Sequence, residues 1–317
     1  MDIRTLGIDL AKNLFRVHGV DAHGRTVVER ELRRRQLLPF VAQLRPCLMG
    51  MEACGGAHYW AREIAKRGHE VRLMSPRFVR PYVKSNKNDA GDAEAICEAV
   101  GRPSMRFVAV KSVAQQDMLA LHRVRSLLIR ERTALMNQMR GLLAESGIVV
   151  AQGPARLRRA LAVIQEERDN GVSELLREML VEMGERLRWL EQRLKRYDLK
   201  IATLARGDER AARLMKVEGV GPLIATALIA AVGDARQFHR GRELSAWLGL
   251  VPRQHSSGGH TMLLGISKRG DRYLRTLLIH GALNVAPRPA QARPTQPLDR
   301  SVEGAPRRGY RGRGAGE

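Results

Sequence analysis

Acidic residues are scarce in this sequence. Its 317 residues carry 33 Asp and Glu against 55 Lys and Arg, for a formal net charge of +22. A deficit of that size points to a polyanionic partner, nucleic acid before acidic membrane. No apolar run approaches the roughly 18 residues of a membrane-spanning helix, and the start "MDIRTLGIDLAKN" has no signal pattern. Cysteine is rare as well. Cys47, Cys54 and Cys97 have no metal-ligand spacing, as expected of reduced thiols in a cytoplasmic protein. The nine histidines include no His-x-x-x-His pair, which argues against zinc. Aromatics are only 4%, so phosphate contacts by Arg and Lys should outweigh base stacking.

What is present suffices for folded cores: 44% of residues are hydrophobic, and the length suggests about two domains. Residues 1–110 read as α/β. "RTLGIDLA", "LFRVHGVD" and "RTVVEREL" make three strands in a meander. The helix "RQLLPFVAQL", strand "PCLMGMEA", helix "HYWAREIAKRG" and strand "HEVRLMSP" follow. That order predicts a mixed sheet with helices on its faces. Residues 111–206 read as long helices. From Leu176 through Leu180, Met183, Leu187, Leu190, Leu194, Tyr197 and Ile201 to Leu204, apolar positions alternate in steps of four and three. That is a heptad seam, expected to form a dimerising or antiparallel coiled-coil arm, with 114–146 available as its partner helix. A plain amphipathic helix packed in its own chain is the alternative. Residues 207–286 read as a small all-α unit. Residues 287–317, rich in Pro, Gly and Arg, read as a disordered basic tail.

Against this basic background four acids stand out. Asp9 and Glu52 end otherwise apolar strands, in "GIDLAK" and "GMEACGG". Asp89 and Asp92, in "NDAGDAEAI", share one helical face. Taken singly, Asp89 reads as a helix cap, Asp9 as a polar strand end and Glu52 as a surface acid. Taken together they read as a site for Mg²⁺ or Mn²⁺, whose oxygen chemistry suits phosphodiester cleavage and removes the repulsion between acids and DNA.

Two further blocks suggest phosphate contact. "LMKVEGVGPLIATALIAAVGD" reads as helix, glycine turn, helix, and resembles a helix-hairpin-helix. Gly219 and Gly221 would offer backbone N–H groups to a nucleic-acid backbone, or would simply cap an αα-turn. "GLVPRQHSSGGHTMLLGISKRGDRYLRTLL" sets Ser256 and Ser257 in a glycine-rich loop among Arg253, Lys268, Arg269 and Arg272. Such a loop is ordinarily a flexible turn; the alternative is a serine hydroxyl that attacks phosphorus once a base or metal lowers its proton affinity and cations steady the phosphate.

These blocks resemble the ribonuclease H-like (RuvC-like) fold of Holliday-junction resolvases. They resemble more closely the DEDD transposases of insertion sequences, the IS-one-ten family. "GIDLAKN", "GMEACGGAHYW" and "KSNKNDAGDAEAI" carry the match, and the four acids of the family name fall on Asp9, Glu52, Asp89 and Asp92. "PRQHSSGG" and "ISKRGDRYLR" match the family's carboxy-terminal serine motifs. The resemblance implies a serine nucleophile at Ser257, with Ser256 as the alternative, acting jointly with the metal site. It also implies DNA partners, a structured guide RNA, a homodimer or homotetramer, and a bacterial cytoplasmic, nucleoid-associated location. Arg253, Lys268 and Arg272 are candidate phosphate contacts. The other classes kept open are a junction nuclease that uses water and an inactive nucleic-acid-binding remnant. The latter follows from a departure: apolar periodicity stops at Pro287, where the family continues with helix. A frameshifted or truncated end is expected, and finding no family-like coding sequence in another frame would refute the frameshift.

Overall fold

The computed structural model describes residues 2–84, 89–167 and 169–286. The expected disordered tail, 287–317, and the segment 85–88 before the Asp89 helix lie outside the described residues.

The amino-terminal part is built on six strands: β1 (Thr5–Leu10), β2 (Leu14–Val20), β3 (Thr26–Arg33), β4 (Leu48–Glu52), β5 (Glu70–Met74) and β6 (Phe107–Val108). Their order across the sheet is β3-β2-β1-β4-β5-β6. The meander β1–β3 is antiparallel, β1, β4 and β5 run parallel, and β6 adds an antiparallel edge. This mixed sheet is consistent with a ribonuclease H-like fold. Helices α1 (Leu37–Ala42) and α2 (Ala57–Ala65) cover one face, where Leu6, Ile8, Phe15, Met49, Met51 and Ile64 are fully buried. Each such side chain contributes about 1.5–3 kcal/mol. The short α3 (Pro76–Val79) and α4 (Asp89–Val100) lie on the other face, packed through Met74, Val79, Ile96 and Val100.

Two glycines fix how closely α4 lies on the sheet. A Cβ at Gly7 would stand 2.2 Å from the Ala93 carbonyl oxygen and 2.5 Å from the Cys97 nitrogen; one at Gly50 would stand 2.7 Å from Val100 Cβ. Only hydrogen fits at either place. Side chains alternate along a strand, so Asp9 and Glu52, two residues beyond these glycines, share the α4 face.

After β6 come three helices: α5 (Val113–Glu145), α6 (Pro154–Glu166) and α7 (Glu174–Arg206). A capping box opens α5: Ser112 Oγ accepts from the Gln115 N–H at 3.2 Å, and Gln115 Oε1 accepts from the Ser112 N–H at 2.9 Å. Arg125, near the start of α5, pairs with Asp198, near the end of α7, so the two helices run antiparallel. The heptad seam finds its partner here. Leu180, Leu187, Leu190 and Leu194 are buried against Leu135, Met136, Met139 and Leu143 of α5 and Leu157 and Leu161 of α6. What the seam buries is thus within its own chain. Leu175, Trp189, Leu199 and Leu204 remain exposed on α7.

The carboxy-terminal unit comprises α8 (Glu209–Leu214), α9 (Pro222–Val232), α10 (Gly241–Leu248), a hairpin of β7 (Pro252–Ser257) and β8 (His260–Ile266), and α11 (Arg272–Val285). The hairpin corrects the all-α expectation. Its residues show no alternation of apolar and polar side chains, because every residue from Pro252 to Gly265 is exposed. The usable signal was the Gly258-Gly259 pair, whose positive φ values of 53° and 80° suit a two-residue turn. No described helix is long and apolar enough to cross a membrane. The three cysteines are free.

Candidate functional site

The acids gather at the carboxyl ends of the parallel strands. β1 and β4 pair in register up to Ile8 and Met51, so Asp9 and Glu52 follow side by side on neighbouring strands. The close seating of α4 at Gly7 brings Asp92, one residue before Ala93, over the same corner. Their mutual influence is visible at Glu52. Its proton affinity is raised by burial and then by the negative charges of Asp9 and Asp92. Asp89 begins α4, three residues before Asp92; its side chain lies outside the described residues. Among the described residues, no group of three His, Cys, Asp or Glu side chains is drawn close enough to hold an ion as it stands. The donor chemistry nonetheless fits a hard divalent cation: the oxygens are carboxylates, and the nearby Cys54 thiol is kept protonated by burial and then by the charges of Glu52 and Asp9.

The serines stand elsewhere, on the exposed β7–β8 hairpin. Ser256 Oγ accepts from Gln254 Nε2 at 2.9 Å, whereas Ser257 Oγ has no hydrogen-bond partner among the described residues. Ser257 closes the hairpin opposite His260. Arg253 lies on β7, exposed, in the irregular register between Pro252 and Gln254.

Lys268 and Arg272 are exposed on either side of a tight turn. Lys268 has φ 54°, and Gly270 packs so closely on α10 that a Cβ would meet the Trp247 carbonyl at 2.1 Å. The sequence reading passed over Arg275 in the same motif. It is buried and donates to the carbonyls of Leu248 at 3.0 Å and Gly270 at 3.1 Å, tying the turn to α10. Asp271 caps α11 by accepting from the Leu274 N–H at 2.9 Å.

The two glycines of the presumed hairpin motif have different surroundings. Gly219, φ 79°, backs onto α11, where a Cβ would stand 2.6 Å from the Gly281 carbonyl. Its need for glycine is thereby explained by packing. Gly221 is exposed at the start of α9, with Pro222 in the first turn.

Comparison with known proteins fits this arrangement of two halves. Residues 6–148 match the IS110-type DEDD transposase family, described simply as transposase. Residues 211–295 match the transposase IS116/IS110/IS902 family. A probable family 20 transposase of Pseudomonas aeruginosa is 54% identical over 283 residues, spanning 89% of this chain and 84% of that one. The transposase for insertion sequence element IS1111A of Coxiella burnetii is 46% identical over 281 residues, 89% of this chain and 77% of its own. That of IS1328 from Yersinia enterocolitica is 44% identical, over 89% and 83%. Both matched regions and these relatives define a transposase. The chain belongs to the IS110 family of DEDD transposases.

Proposed function

We propose that this transposase cuts and rejoins DNA at the ends of an insertion sequence through Asp9, Glu52, Asp89 and Asp92 acting with Ser257. The observation that carries the reading is geometric: Asp9 and Glu52 follow side by side at the ends of β1 and β4, and Asp92 lies on the helix seated against Gly7, with burial and then the charges of Asp9 and Asp92 raising the proton affinity of Glu52. Carboxylates that feel one another's charge repel until a cation joins them. A bound Mg²⁺ or Mn²⁺ would supply charge stabilisation for the phosphodiester oxygens. The four acids would hold it, and the packing of α4 on Gly7 would keep Asp92 facing the strand ends.

Ser257 Oγ would attack the phosphorus: the Oγ–P bond forms as the P–O3′ bond breaks, leaving a 5′-phosphoserine link and a free 3′-hydroxyl, the serine proton passing to solvent and the leaving oxygen taking one from it. Arg253, Lys268 and Arg272 would contact phosphates, as would the backbone at Gly221. Gly219, its turn backed by α11, is the weaker member of that pair. A structured RNA from the element would direct the protein to its DNA at the nucleoid. Two or four protomers would assemble through what α7 leaves exposed.

The test is an adduct assay with purified protein, Mg²⁺, element-end RNA and labelled donor DNA, run on a denaturing gel. A covalently shifted band, lost in Ser257→Ala and in Asp9→Asn, is expected. Each loss should exceed about a hundredfold. Cleavage without a shift that survives Ser257→Ala would replace this reading by the water-using junction nuclease, which the bare exposure of the hairpin favours. Binding with no cleavage at all would identify an inactive remnant.

A further inference from the structure

A second charged feature lies between the two halves of the molecule. A cleft of about 620 Å³ opens between α5 and the α10–α11 region, lined by Lys111, Arg123, Arg130, Trp247, Asp271 and Tyr273 among others. Lys111 is held from several sides. Its N–H donates to His58 Nδ1 at 3.2 Å, its carbonyl accepts from Arg62 Nη1 at 2.5 Å, and its Nζ lies 3.5 Å from His58 Nε2. Burial and then the charge of Arg123 lower its proton affinity, with Asp271 opposing them. Among the described residues, none of the three lining cations has a carboxylate within ion-pair distance. Asp271, the one lining acid, is already engaged as the cap of α11. Lys111 is half-buried beside the exposed Arg123 and Arg130, and a buried cation facing a like charge is costly until an anion arrives. Across the cleft, Phe238 braces the Trp247 ring edge-on at 5.8 Å, and 37% of Trp247 stays accessible.

We propose that this cleft binds one unpaired nucleotide of a nucleic-acid strand, its phosphate on Lys111, Arg123 and Arg130 and its base against Trp247. The inference rests on the nucleic-acid-processing reading above and deepens it. The volume is that of a small-ligand pocket. A base still stacked in a duplex cannot enter it, whereas a single strand or a flipped nucleotide can. The walls come from the segment after β6, from α5 and from the serine-bearing unit. A strand held here runs between the acid-bearing domain and the hairpin. Sequence composition concealed the site, since one tryptophan suffices for one base.

The test uses the full chain and three labelled probes of equal length: oligo(dT), oligo(rU) and a blunt duplex. Anisotropy and tryptophan fluorescence are read over a salt series. The wild type should bind both single strands with quenching of its tryptophan emission, and the tighter of dT and rU identifies the strand as DNA or RNA. Trp247→Leu should remove that quenching and weaken single-strand binding about tenfold while leaving the duplex within about twofold. Arg123→Gln/Arg130→Gln, at two exposed positions, should weaken single-strand binding at least as much. It should also reduce the salt slope by up to about 0.7, one phosphate's worth. Unchanged single-strand affinity in both variants, or equal loss for strand and duplex, would overturn the cleft assignment alone. A wild type that binds none of the probes would overturn the recombinase reading and this inference together.

Discussion

The acid corner and the serine hairpin are built in opposite ways. Asp9, Glu52 and Asp92 stand on two central strands and a helix whose neighbours are fully buried, and a glycine contact with no slack sets their spacing. Ser257 stands on two strands without a single buried residue. The corner owes its backbone geometry to the core beneath it. The hairpin owes its form to backbone pairing and a two-glycine turn. Its side chains acquire surroundings only when a nucleic acid or another protomer covers them. A reaction needing both thus joins a fixed component to one completed by binding.

The largest effect that would break this contrast is expected at Gly7. In Gly7→Ala the new methyl meets the α4 backbone at Ala93 and Cys97, which cannot yield as a flexible side chain would. The helix must lift from β1, carrying Asp89 and Asp92 with it. Urea unfolding should show a loss of about 3 kcal/mol, and the adduct assay a loss of product. Gly141→Ala, on α5 with open space around the added methyl, is the control and should stabilise by about 0.5–1 kcal/mol. If Gly7→Ala is no worse than Gly141→Ala, the corner is not held by this contact.

The acids were legible because two periodicities expose them: a carboxylate at the end of an apolar strand, and a pair three apart on a helix. Gly7 and Gly50 were not legible as spacers, because a glycine in a strand does not announce which helix will press on it. The heptad seam was legible as a buried stripe; that α5 and α6 cover it depends on connections no periodicity encodes. The hairpin escaped because burial, which imprints alternation on a strand, is absent there. The cleft at Lys111 draws on three segments more than a hundred residues apart from first to last, with no local pattern in any of them.

A smaller effect would sharpen the contrast by probing what the hairpin stands on. His122 of α5 is buried between Tyr273 of α11, with Nδ1 3.0 Å from the hydroxyl, and Thr226 of α9, with Nε2 3.0 Å from Oγ1. Burial, and then the charge of Arg125, lowers its pKa from 6.5 to about 4. The folded state therefore binds this proton later than the unfolded state. The stabilisation is complete above pH 6.5 and is lost as pH falls from there through about 4. Between pH 7 and pH 5 the loss should be about 2 kcal/mol. Urea titrations at the two pH values measure it, and His122→Gln should remove that part of the slope. A slope unchanged in His122→Gln would mean that other groups carry it. His58, also lowered to about 4, is the first to test.

The smallest effect belongs to the hairpin itself. Ser257→Ala removes a hydroxyl with no hydrogen-bond partner among the described residues, and Met262→Ser shortens a side chain that is 60% exposed. Neither creates a cavity nor strands a buried polar group, the usual sources of large destabilisation. Each should leave the stability of the protein alone within about 0.5 kcal/mol by urea unfolding. The same Ser257→Ala should abolish the adduct, so stability and chemistry separate at this position as they cannot at Gly7. With DNA bound, Met262→Ser should begin to matter if the hairpin buries its apolar strand on the complex, and the difference between free and bound unfolding measures that burial. A loss above about 1.5 kcal/mol in the free protein would show the hairpin already packed against a neighbouring protomer, and the contrast between a fixed corner and a bare hairpin would fall.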